Sequence, residues 1–399
     1  MVRGDEMDVA PRRTAALIAT HIAPARGFGG VAECAAALAQ AWARRGHAFS
    51  VAVSDGSCGP ALRAGDLDLP ARATVRLYRA AWPVRWGFGW GAMTTVWATC
   101  RDAGSCYICG IATWPTTLAY LFCRWLGRPY VAATHGGLMP AHVAHIRRKK
   151  PLKWLFYRLL VLPALRQAAA VHVTSGLEGD GVRAWLPDAA IVEIPNGIDI
   201  GFWWTPPRRR AAGDGLRLCY VGRLSREKGI LGFLKIWDRI RGPVDRLTIV
   251  GEGNGDYAAA THAMATRIGN AVRLMGSLDR AGVRQALADC DFLVLPSGLD
   301  DGDVRENFGI AAAEALAAGR PLLVPRGLAW DMAEREGFGI LFTPDEAGVA
   351  AALQRAAAAD PVACAQAATT WVAAHCDLDD TAERLWRILY ASANPDPRP

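Results

Sequence analysis

Short apolar segments alternate with helix-like segments along this chain, and the alternation stops once, near residue 205, before it starts again. Such alternation predicts parallel sheets covered by helices on both faces. The segment 202–215 interrupts it with Pro206, Pro207, three consecutive arginines and Gly213, a composition typical of a linker. Candidate strands before the linker cover 15–20, 48–53, 106–111, 130–134, 170–174 and 191–194, and those after it cover 216–221, 246–250, 272–275, 291–295 and 321–324.

The two series of strands predict an α/β protein with two doubly wound domains, at 1–205 and 206–375. Sheets of this kind bind ligands beyond the carboxyl ends of their strands. Two such domains that face each other therefore predict a substrate cleft between them.

Positive charge is concentrated in the first half of the chain. Residues 1–200 hold 22 Lys and Arg against 13 Asp and Glu, the rest is close to neutral, and the whole chain has a formal net charge of +7. A basic first half suits an anionic partner, either a phosphorylated ligand or an acidic membrane surface. No zinc-finger spacing, ribonucleoprotein motif or basic helix supports a nucleic acid partner.

The ten cysteines lack the spacing of a disulfide framework. Cys106 and Cys109 are the one close pair, they stand in an apolar run typical of a buried strand, and no second pair completes a zinc site. We expect reduced core cysteines in a cytoplasmic protein. No uncharged apolar stretch reaches the roughly 20 residues that span a bilayer, so any contact with the inner face of the plasma membrane would be peripheral.

Two loops that follow candidate strands have the residues of a phosphate site. Gly29 and Gly30 precede a helix, and adjacent glycines let backbone N–H groups approach a ligand at the positive end of that helix, although a tight turn also needs glycine. The second loop carries Gly222, Arg223 and Lys228. Arg offers a fork that matches phosphate oxygens and Lys adds a mobile charge, whereas the plainer interpretation is a solvated charged loop.

A third loop and the helix after it carry two acidic residues, Glu306 and Glu314. Their spacing is close to two helical turns, so both carboxylates are expected to face one crevice. A carboxylate there is suited to binding the hydroxyls of a sugar or a ribose. The helix start near Phe308 and Ile310 would offer free N–H groups to a phosphate.

Two further glycine-containing segments follow strands. His135 stands between a strand and Gly136, a position that favours a ligand contact. Gly251 and Gly253 imitate part of a dinucleotide-binding fingerprint. They come late in the chain, and a site for a nucleotide base explains them better.

Together these segments resemble glycosyltransferase family 4, whose members are retaining enzymes with the GT-B fold of two Rossmann-like domains. The matching pieces occur in the family's order over nearly the whole chain, and the most specific is the pair Glu306 and Glu314 with Phe308 and Gly309 between. The other pieces are Gly29-Gly30, His135-Gly136, Ile194-Pro195-Asn196-Gly197-Ile198-Asp199, Val221-Gly222-Arg223 with Lys228-Gly229, and Val250-Gly251-Glu252-Gly253.

The resemblance implies a role for each matching residue. Arg223 and Lys228 would bind the donor diphosphate and neutralise the leaving group. Glu306 would hold the transferred sugar, His135 would lie near it, and Glu314 would hold the ribose. The donor-binding set would comprise Gly29, Gly30, Gly222, Gly251, Gly253, Asn307, Phe308, Gly309, Ile310 and Glu314. The segment 376–399 would form a helix that packs back on the first domain, with a disordered tail.

The function that the resemblance implies is transfer of a hexose from a nucleotide diphosphate sugar, GDP-mannose or a UDP-hexose, to a glycan acceptor. Around His135 to Glu178 the chain looks most like enzymes of bacterial exopolysaccharide assembly, which implies a polyprenyl-diphosphate-linked acceptor. The basic and aromatic stretch 147–158 and a tryptophan-rich stretch at 82–97 suit the interface of an anionic membrane. A buried helix flanked by solvated charges is the alternative.

The chain departs from the family pattern in two places. The loop at 298–305 is longer than usual, which leaves the sugar end of the site open, and 326–330 replaces a Gly-Gly segment. Asp66 and Asp68, like Asp301 and Asp303, formally match the Asp-x-Asp of metal-dependent transferases. Neither pair has the matching context, so we expect a metal-independent enzyme without a separate cofactor.

Three other functions remain open: a synthase that makes a soluble disaccharide, a sugar-nucleotide epimerase on the same fold, and a non-catalytic sugar-nucleotide-binding module. The joint presence of Arg223, Lys228, Glu306 and Glu314 argues against the last, because a degenerate site would be free to lose them.

Overall fold

Two fully parallel sheets form the centre of the protein. The computed structural model describes residues 14–25, 27–211, 213–300 and 307–393. The first sheet has seven strands in the order β3-β2-β1-β4-β5-β6-β7, and the second has six in the order β10-β9-β8-β11-β12-β13. We call the residues around these sheets the first lobe and the second lobe. The predicted α/β class with two doubly wound units is confirmed.

The strands of the first lobe are β1 (Ala15–Ala19), β2 (Phe49–Ser54), β3 (Ala73–Tyr78), β4 (Ser105–Cys109), β5 (Tyr130–Ala133), β6 (Ala170–Val173) and β7 (Ile191–Glu193). The strands of the second lobe are β8 (Arg217–Val221), β9 (Arg246–Val250), β10 (Val272–Leu274), β11 (Phe292–Val294), β12 (Leu322–Pro325) and β13 (Gly339–Phe342). The predicted boundary at 205 lies between β7 and β8.

The helices up to that boundary are α1 (Gly30–Arg44), α2 (Gly91–Asp102), α3 (Trp114–Trp125), α4 (Pro140–Lys149), α5 (Pro151–Phe156), α6 (Leu162–Arg166), α7 (Gly176–Arg183) and α8 (Ile200–Trp203), with a π-helical turn at Tyr157–Val161. The later helices are α9 (Ile230–Ile240), α10 (Asp256–Ile268), α11 (Arg280–Ala288), α12 (Ile310–Ala317), α13 (Glu346–Ala358), α14 (Pro361–His375) and α15 (Leu378–Ala393). None of these described helices is long and apolar enough to cross a bilayer.

Burial on both faces explains why the central strands were readable from sequence. Every residue of β1 and β2 is buried, so both strands are continuous runs of mostly apolar residues, as parallel sheets require. Helices cover the two faces with one apolar stripe each; α9, for example, buries Phe233, Leu234 and Trp237.

The strand order places the carboxyl ends of β1 and β4, and of β8 and β11, at points where successive crossovers go to opposite sides. Such switch points are where open α/β sheets bind ligands. In this chain they lie next to the loop before α1 and the loops that follow β8 and β11. The fold therefore places three loops that are far apart in the sequence at the switch points of the two sheets.

The last helix returns to the first lobe. In α15, Leu385 and Leu389 are buried in the same apolar core as Trp42 of α1, and the Trp42 indole N–H donates to the carbonyl of Ala382 at 2.9 Å. An ion pair between Arg44 and Asp379 at 2.9 Å lies on the surface of this contact. The tail expected at 394–399 lies outside the described residues.

The sequence pattern missed two strands, β3 and β13. Both are outer strands of their sheets, and β3 has only its first and last residues buried. β3 mixes polar with apolar residues, which weakens its apolar signal. The burial of β13 does not explain why that strand was missed.

Candidate functional site

The first turns of two helices, one from each lobe, face each other across the cleft. Gly29 precedes α1 with φ 70°, and Gly30 is the first helical residue. A Cβ placed on Gly30 would lie 3.0 Å from Cγ2 of Ile310, the first residue of α12. Each helix start presents backbone N–H groups and the positive end of its dipole, which together attract an anion.

The start of α12 is fixed by buried aromatic packing. Phe308 is buried, its ring centroid is 5.2 Å from that of Trp330, and its carbonyl accepts a 2.7 Å hydrogen bond from the Trp330 indole. Gly309 follows with φ 59°, a conformation that favours glycine. The side chain of Phe308 therefore belongs to the core, and backbone groups of this segment are what a ligand can reach.

The loop after β8 carries the two predicted cations at the carboxyl edge of the second sheet. Arg223 is exposed and pairs with Glu227 at 3.2 Å, an ion pair that contributes little to stability in water. Lys228 ends a short 3₁₀ turn that is followed by Gly229, whose φ is 69°. A Cβ on Gly229 would lie 1.9 Å from the carbonyl oxygen of Pro296, so the loops after β8 and β11 are in backbone contact.

Two predicted donor-binding glycines, Gly251 and Gly253, have a packing role of their own. Gly251 has φ 132°, and a Cβ there would lie 1.9 Å from the carbonyl oxygen of Gly222. A Cβ on Gly253 would lie 2.2 Å from the carbonyl oxygen of Leu224. The loops after β8 and β9 thus need glycine for close approach, whatever ligand they meet.

Glu314 lies in an unusual electrostatic environment. Burial raises its pKa to about 8; the negative charge of Glu33 adds to this effect, and the positive charge of Arg280 opposes it. Glu33 comes from α1. Burial raises its pKa as well, and the positive charge of Arg280 partly offsets that rise. The guanidinium of Arg280 stacks on Phe202 at 4.6 Å from the ring centroid. Sequence reasoning missed both Glu33 and Arg280.

His135 is a neutral side chain at the carboxyl end of β5. Burial lowers its pKa, and the nearby Glu178 only partly offsets this. Its Nε2 lies 3.2 Å from Sγ of Cys109, and its backbone has φ 42°, which is uncommon for a residue with a side chain.

Asn307 sends its side chain to the first lobe. Its amide nitrogen donates to Thr174 at 2.9 Å and to Glu178 at 2.8 Å, and its oxygen accepts from Ser175 at 2.8 Å. We predicted that Asn307 belongs to the donor site, whereas this side chain makes contacts between the lobes. Glu306, Asp301 and Asp303 lie outside the described residues.

One group of three potential metal ligands occurs within the described ranges. Cys100, Cys106 and Cys123 are buried, with sulfur atoms within 4.8 Å of one another. They lie in the apolar core formed by α2, α3 and β4, near the amino end of β4 and not at its carboxyl edge. All ten cysteines are free thiols.

The stretch 147–158 separates into a buried and an exposed set. Tyr157 is buried, and Trp154 and Phe156 pack against the core. The exposed apolar residues are instead Leu152, Leu155, Leu159 and Leu160, with exposed fractions of 82%, 50%, 64% and 39%. The exposed cations beside them are Arg147, Arg148, Lys149, Lys150 and Arg158.

Two family models match the chain, one in each lobe. Glycosyltransferase Family 4 matches residues 28–202, and Glycosyl transferases group 1 matches residues 206–368. Together they leave only short segments of the chain unmatched.

Curated relatives match part of the chain. Over 179 residues it is 37% identical to a glycogen synthase of Mycobacterium tuberculosis, covering 44% of this chain and 41% of that protein. Over 235 residues it is 29% identical to a GDP-mannose:cellobiosyl-diphosphopolyprenol alpha-mannosyltransferase of Xanthomonas campestris, covering 56% of this chain and 57% of that protein. The chain therefore spans about half the length of the curated relatives it matches.

Two solved structures match the fold of this chain over almost its full length. Sucrose-phosphate synthase from Thermosynechococcus elongatus has a TM-score of 0.74 at 20% identity, covering 96% of this chain and 100% of that one. HepE from Anabaena, in complex with UDP, has a TM-score of 0.72 at 20% identity, covering 95% of this chain and 100% of that one. At this identity the likeness shows the fold. With a glycosyltransferase family model matched in each lobe, the chain belongs to glycosyltransferase family 4 and has the GT-B fold.

Proposed function

We propose that the protein is a retaining hexosyltransferase that uses a nucleotide diphosphate sugar, GDP-mannose or a UDP-hexose, to extend a glycan in polysaccharide biosynthesis. The observation that carries this proposal is the facing pair of helix starts at Gly30 and Ile310. Two sets of N–H groups lie there, the loop with Arg223 and Lys228 follows β8 at the carboxyl edge of the second sheet, and a diphosphate is the ligand chemistry that suits such groups.

The residues of this site are best suited to stabilising the leaving group of the proposed reaction. When the bond between the sugar and the diphosphate breaks, negative charge grows on the diphosphate oxygens. Arg223, Lys228 and the first turn of α12 would stabilise that charge, because preorganised positive groups act most strongly where charge develops. No metal ion is required by this arrangement, and we propose metal-independent transfer.

The remaining predicted residues would bind the two ends of the donor. Glu314 would accept hydrogen bonds from the ribose, and Gly222, Gly251 and Gly253 would line the nucleotide side. Glu306 would hold the hydroxyls of the transferred sugar, and His135 would approach the same sugar from the first lobe as a neutral imidazole.

For the acceptor we propose a polyprenyl-diphosphate-linked glycan at an anionic membrane surface. The support is the surface patch of exposed leucines and cations at 147–160, which we call the basic-leucine surface. Apolar side chains that insert below the headgroups, together with cations that attract them, are the signature of interfacial binding. The relative from Xanthomonas campestris carries a name with the same acceptor chemistry.

A soluble glucan acceptor is the second candidate, and the match to a glycogen synthase favours it. The two candidates differ in one assay. A glucan synthase elongates a soluble oligosaccharide without lipid, whereas the proposed enzyme turns over only when a lipid-linked acceptor is supplied.

Nucleotide selectivity is the first test of the proposed function. Thermal stability should be measured with UDP, GDP and ADP and with their sugar conjugates, followed by transfer assays with the conjugate that stabilises most. We expect one nucleotide to raise the melting temperature clearly above the other two. If none does at millimolar concentration, the proposal is wrong.

Membrane contact is tested by flotation with anionic and neutral liposomes. We expect recovery with anionic vesicles only, and its loss in the double variant Leu152→Glu with Leu159→Glu. The matched control is Val244→Glu with Val362→Glu, two exposed valines of the second lobe. Equal recovery with both lipids, or none with either, removes the membrane proposal and leaves the donor site untouched.

A further inference from the structure

One buried carboxylate lies at the junction of the two lobes and receives hydrogen bonds from both. The side chain of Glu178 is buried. One oxygen accepts from the hydroxyl of Thr134 at 2.5 Å and from the backbone N–H of Gly136, and the other from the backbone N–H and the hydroxyl of Thr174, both at 2.9 Å. Asn307 of the second lobe supplies the fifth hydrogen bond, at 2.8 Å.

The hydrogen-bond network around Asn307 has one consistent assignment of donors and acceptors. Its amide group donates to Thr174 and to Glu178, and the Thr174 hydroxyl passes its own proton on to Glu178. The Ser175 hydroxyl accepts from the N–H of Glu178 at 3.2 Å and donates to the oxygen of Asn307 at 2.8 Å. Every partner of the carboxylate can donate to it, an arrangement that suits the ionised form of Glu178.

The same hydrogen bonds also act on the pKa of Glu178. Burial acts to raise the pKa of Glu178, but the hydrogen bonds from Thr134, Thr174 and Gly136 outweigh it and hold the pKa below its ordinary value. A buried anion of this kind is costly to leave without its donors. The junction therefore favours the arrangement in which Asn307 is in contact.

On the first-lobe side, the same carboxylate fixes the loop of His135. The residues before and after it, Thr134 and Gly136, both donate to one oxygen of Glu178, and His135 between them has φ 42°. That oxygen joins the two flanks of the strained residue, alongside backbone hydrogen bonds from Gly137 to the Thr134 carbonyl and from Met139 to the Gly136 carbonyl.

On the second-lobe side, the hydrogen bond between Asn307 and Glu178 holds the loop that leads into α12. Asn307 is followed directly by Phe308 and Gly309, and a Cβ on Gly136 would lie 3.3 Å from Cβ of Asn307. The loop with His135 and the loop that leads to α12 are thus held against each other.

We propose that Glu178 is a positioning residue that joins the two lobes through Asn307 and sets the spacing of the catalytic cleft. It touches neither donor nor sugar in this scheme. Its effect is to hold the His135 loop and the first turn of α12 at their working separation. The catalytic part of the inference rests on the proposed function, and its structural part does not.

Replacement of Glu178 itself risks unfolding the first lobe, so the test changes its partner. Asn307→Asp keeps the shape but puts a second carboxylate against Glu178. At pH 8 we expect small-angle scattering without any substrate to give a larger radius of gyration than for the wild type. The negative charge of Glu178 raises the pKa of the new carboxyl, so we expect it to be protonated and to donate at pH 5, where the two proteins should have the same radius. Asn270→Asp, at an exposed site of the second lobe, is the control.

The catalytic readout is the split between kcat and donor KM. For Asn307→Asp we expect kcat at pH 8 to fall at least tenfold, as expected when reacting groups lose alignment, with donor KM within about threefold of the wild type. The loss should shrink toward pH 5.

A radius equal to that of the wild type at both pH values, or equally enlarged at both, overturns the inference. Since the scattering measurement needs no substrate, that result is distinct from a failure of the proposed donor chemistry, which would appear as a wild-type protein without transfer activity.

Discussion

The α-carbon of Gly30 faces the side chain of Ile310 across the cleft, and a methyl group on Gly30 would lie 3.0 Å from Cγ2 of Ile310. Residue 30 begins α1 and residue 310 begins α12. The two helix starts are therefore as close as a residue without a side chain permits. A residue without a side chain is therefore needed at position 30 for this approach.

A methyl group at residue 30 should disturb activity without disturbing the fold. For Gly30→Ala we expect kcat/KM for the donor to fall about threefold to tenfold, because Ile310 must shift by a few tenths of an ångström and alignment is sensitive to such shifts. Stability to urea should not fall, because alanine is the better helix former.

The matched control for this change is Gly65→Ala in the same lobe, where a Cβ would meet nothing within 4 Å. If Gly30→Ala and Gly65→Ala transfer sugar at the same rate, the facing helix starts are not part of the site.

Glu314 predicts a pH dependence of stability in the protein without ligand. Its pKa is raised from 4.5 to about 8 in the folded state, so between these values the folded protein binds more protons than the unfolded chain. Stability must then fall as the pH rises through this window, by up to about 1.4 kcal/mol per pH unit for one proton.

Urea unfolding at pH 5, 6.5 and 8 measures this effect. Glu314→Gln cannot take up the proton, so its free energy of unfolding should fall less with pH than that of the wild type. Parallel curves for the two proteins would show that the carboxyl of Glu314 is not in the buried environment described.

The return of α15 to the first lobe predicts a strong dependence of stability on its buried face. Leu385→Ala should lower the free energy of unfolding by about 2–5 kcal/mol, the cost of a large-to-small change in a packed core. Tyr390→Ala in the same helix is the control, because Tyr390 is 64% exposed, and its change should stay within about 0.5 kcal/mol. Equal effects would contradict the packing of α15 on α1.

Sequence patterns were sufficient for the fold because the central strands are buried on both faces. All six residues of β2 are buried, and only Ser50 and Ser54 interrupt its apolar run. The outer strand β3 is half exposed, and its apolar signal was too weak to read. Glycine-rich loops after strands could also be located, since chain order alone puts them at one edge of a sheet.

Contacts between distant segments could not be read from the sequence. Glu33, Arg280 and Glu314 influence one another's charge, yet they stand on three helices in two lobes. For Glu178 the one local signal is Ser175 three positions earlier, a pattern that marks a helix start and says nothing of Asn307. The aromatic residues at 154–157 were equally ambiguous, because only packing decides that Tyr157 points inward and Leu152 outward.

Sugar transfer by Lys228→Ala tests the central claim most directly. The measurement is kcat for transfer from the preferred nucleotide sugar to a lipid-linked acceptor, compared with the wild type and with Lys235→Ala, which removes an exposed lysine from α9. If a lysine charge stabilises the departing diphosphate, kcat should fall at least roughly tenfold for Lys228→Ala and stay unchanged for Lys235→Ala. Wild-type kcat in Lys228→Ala would contradict the account.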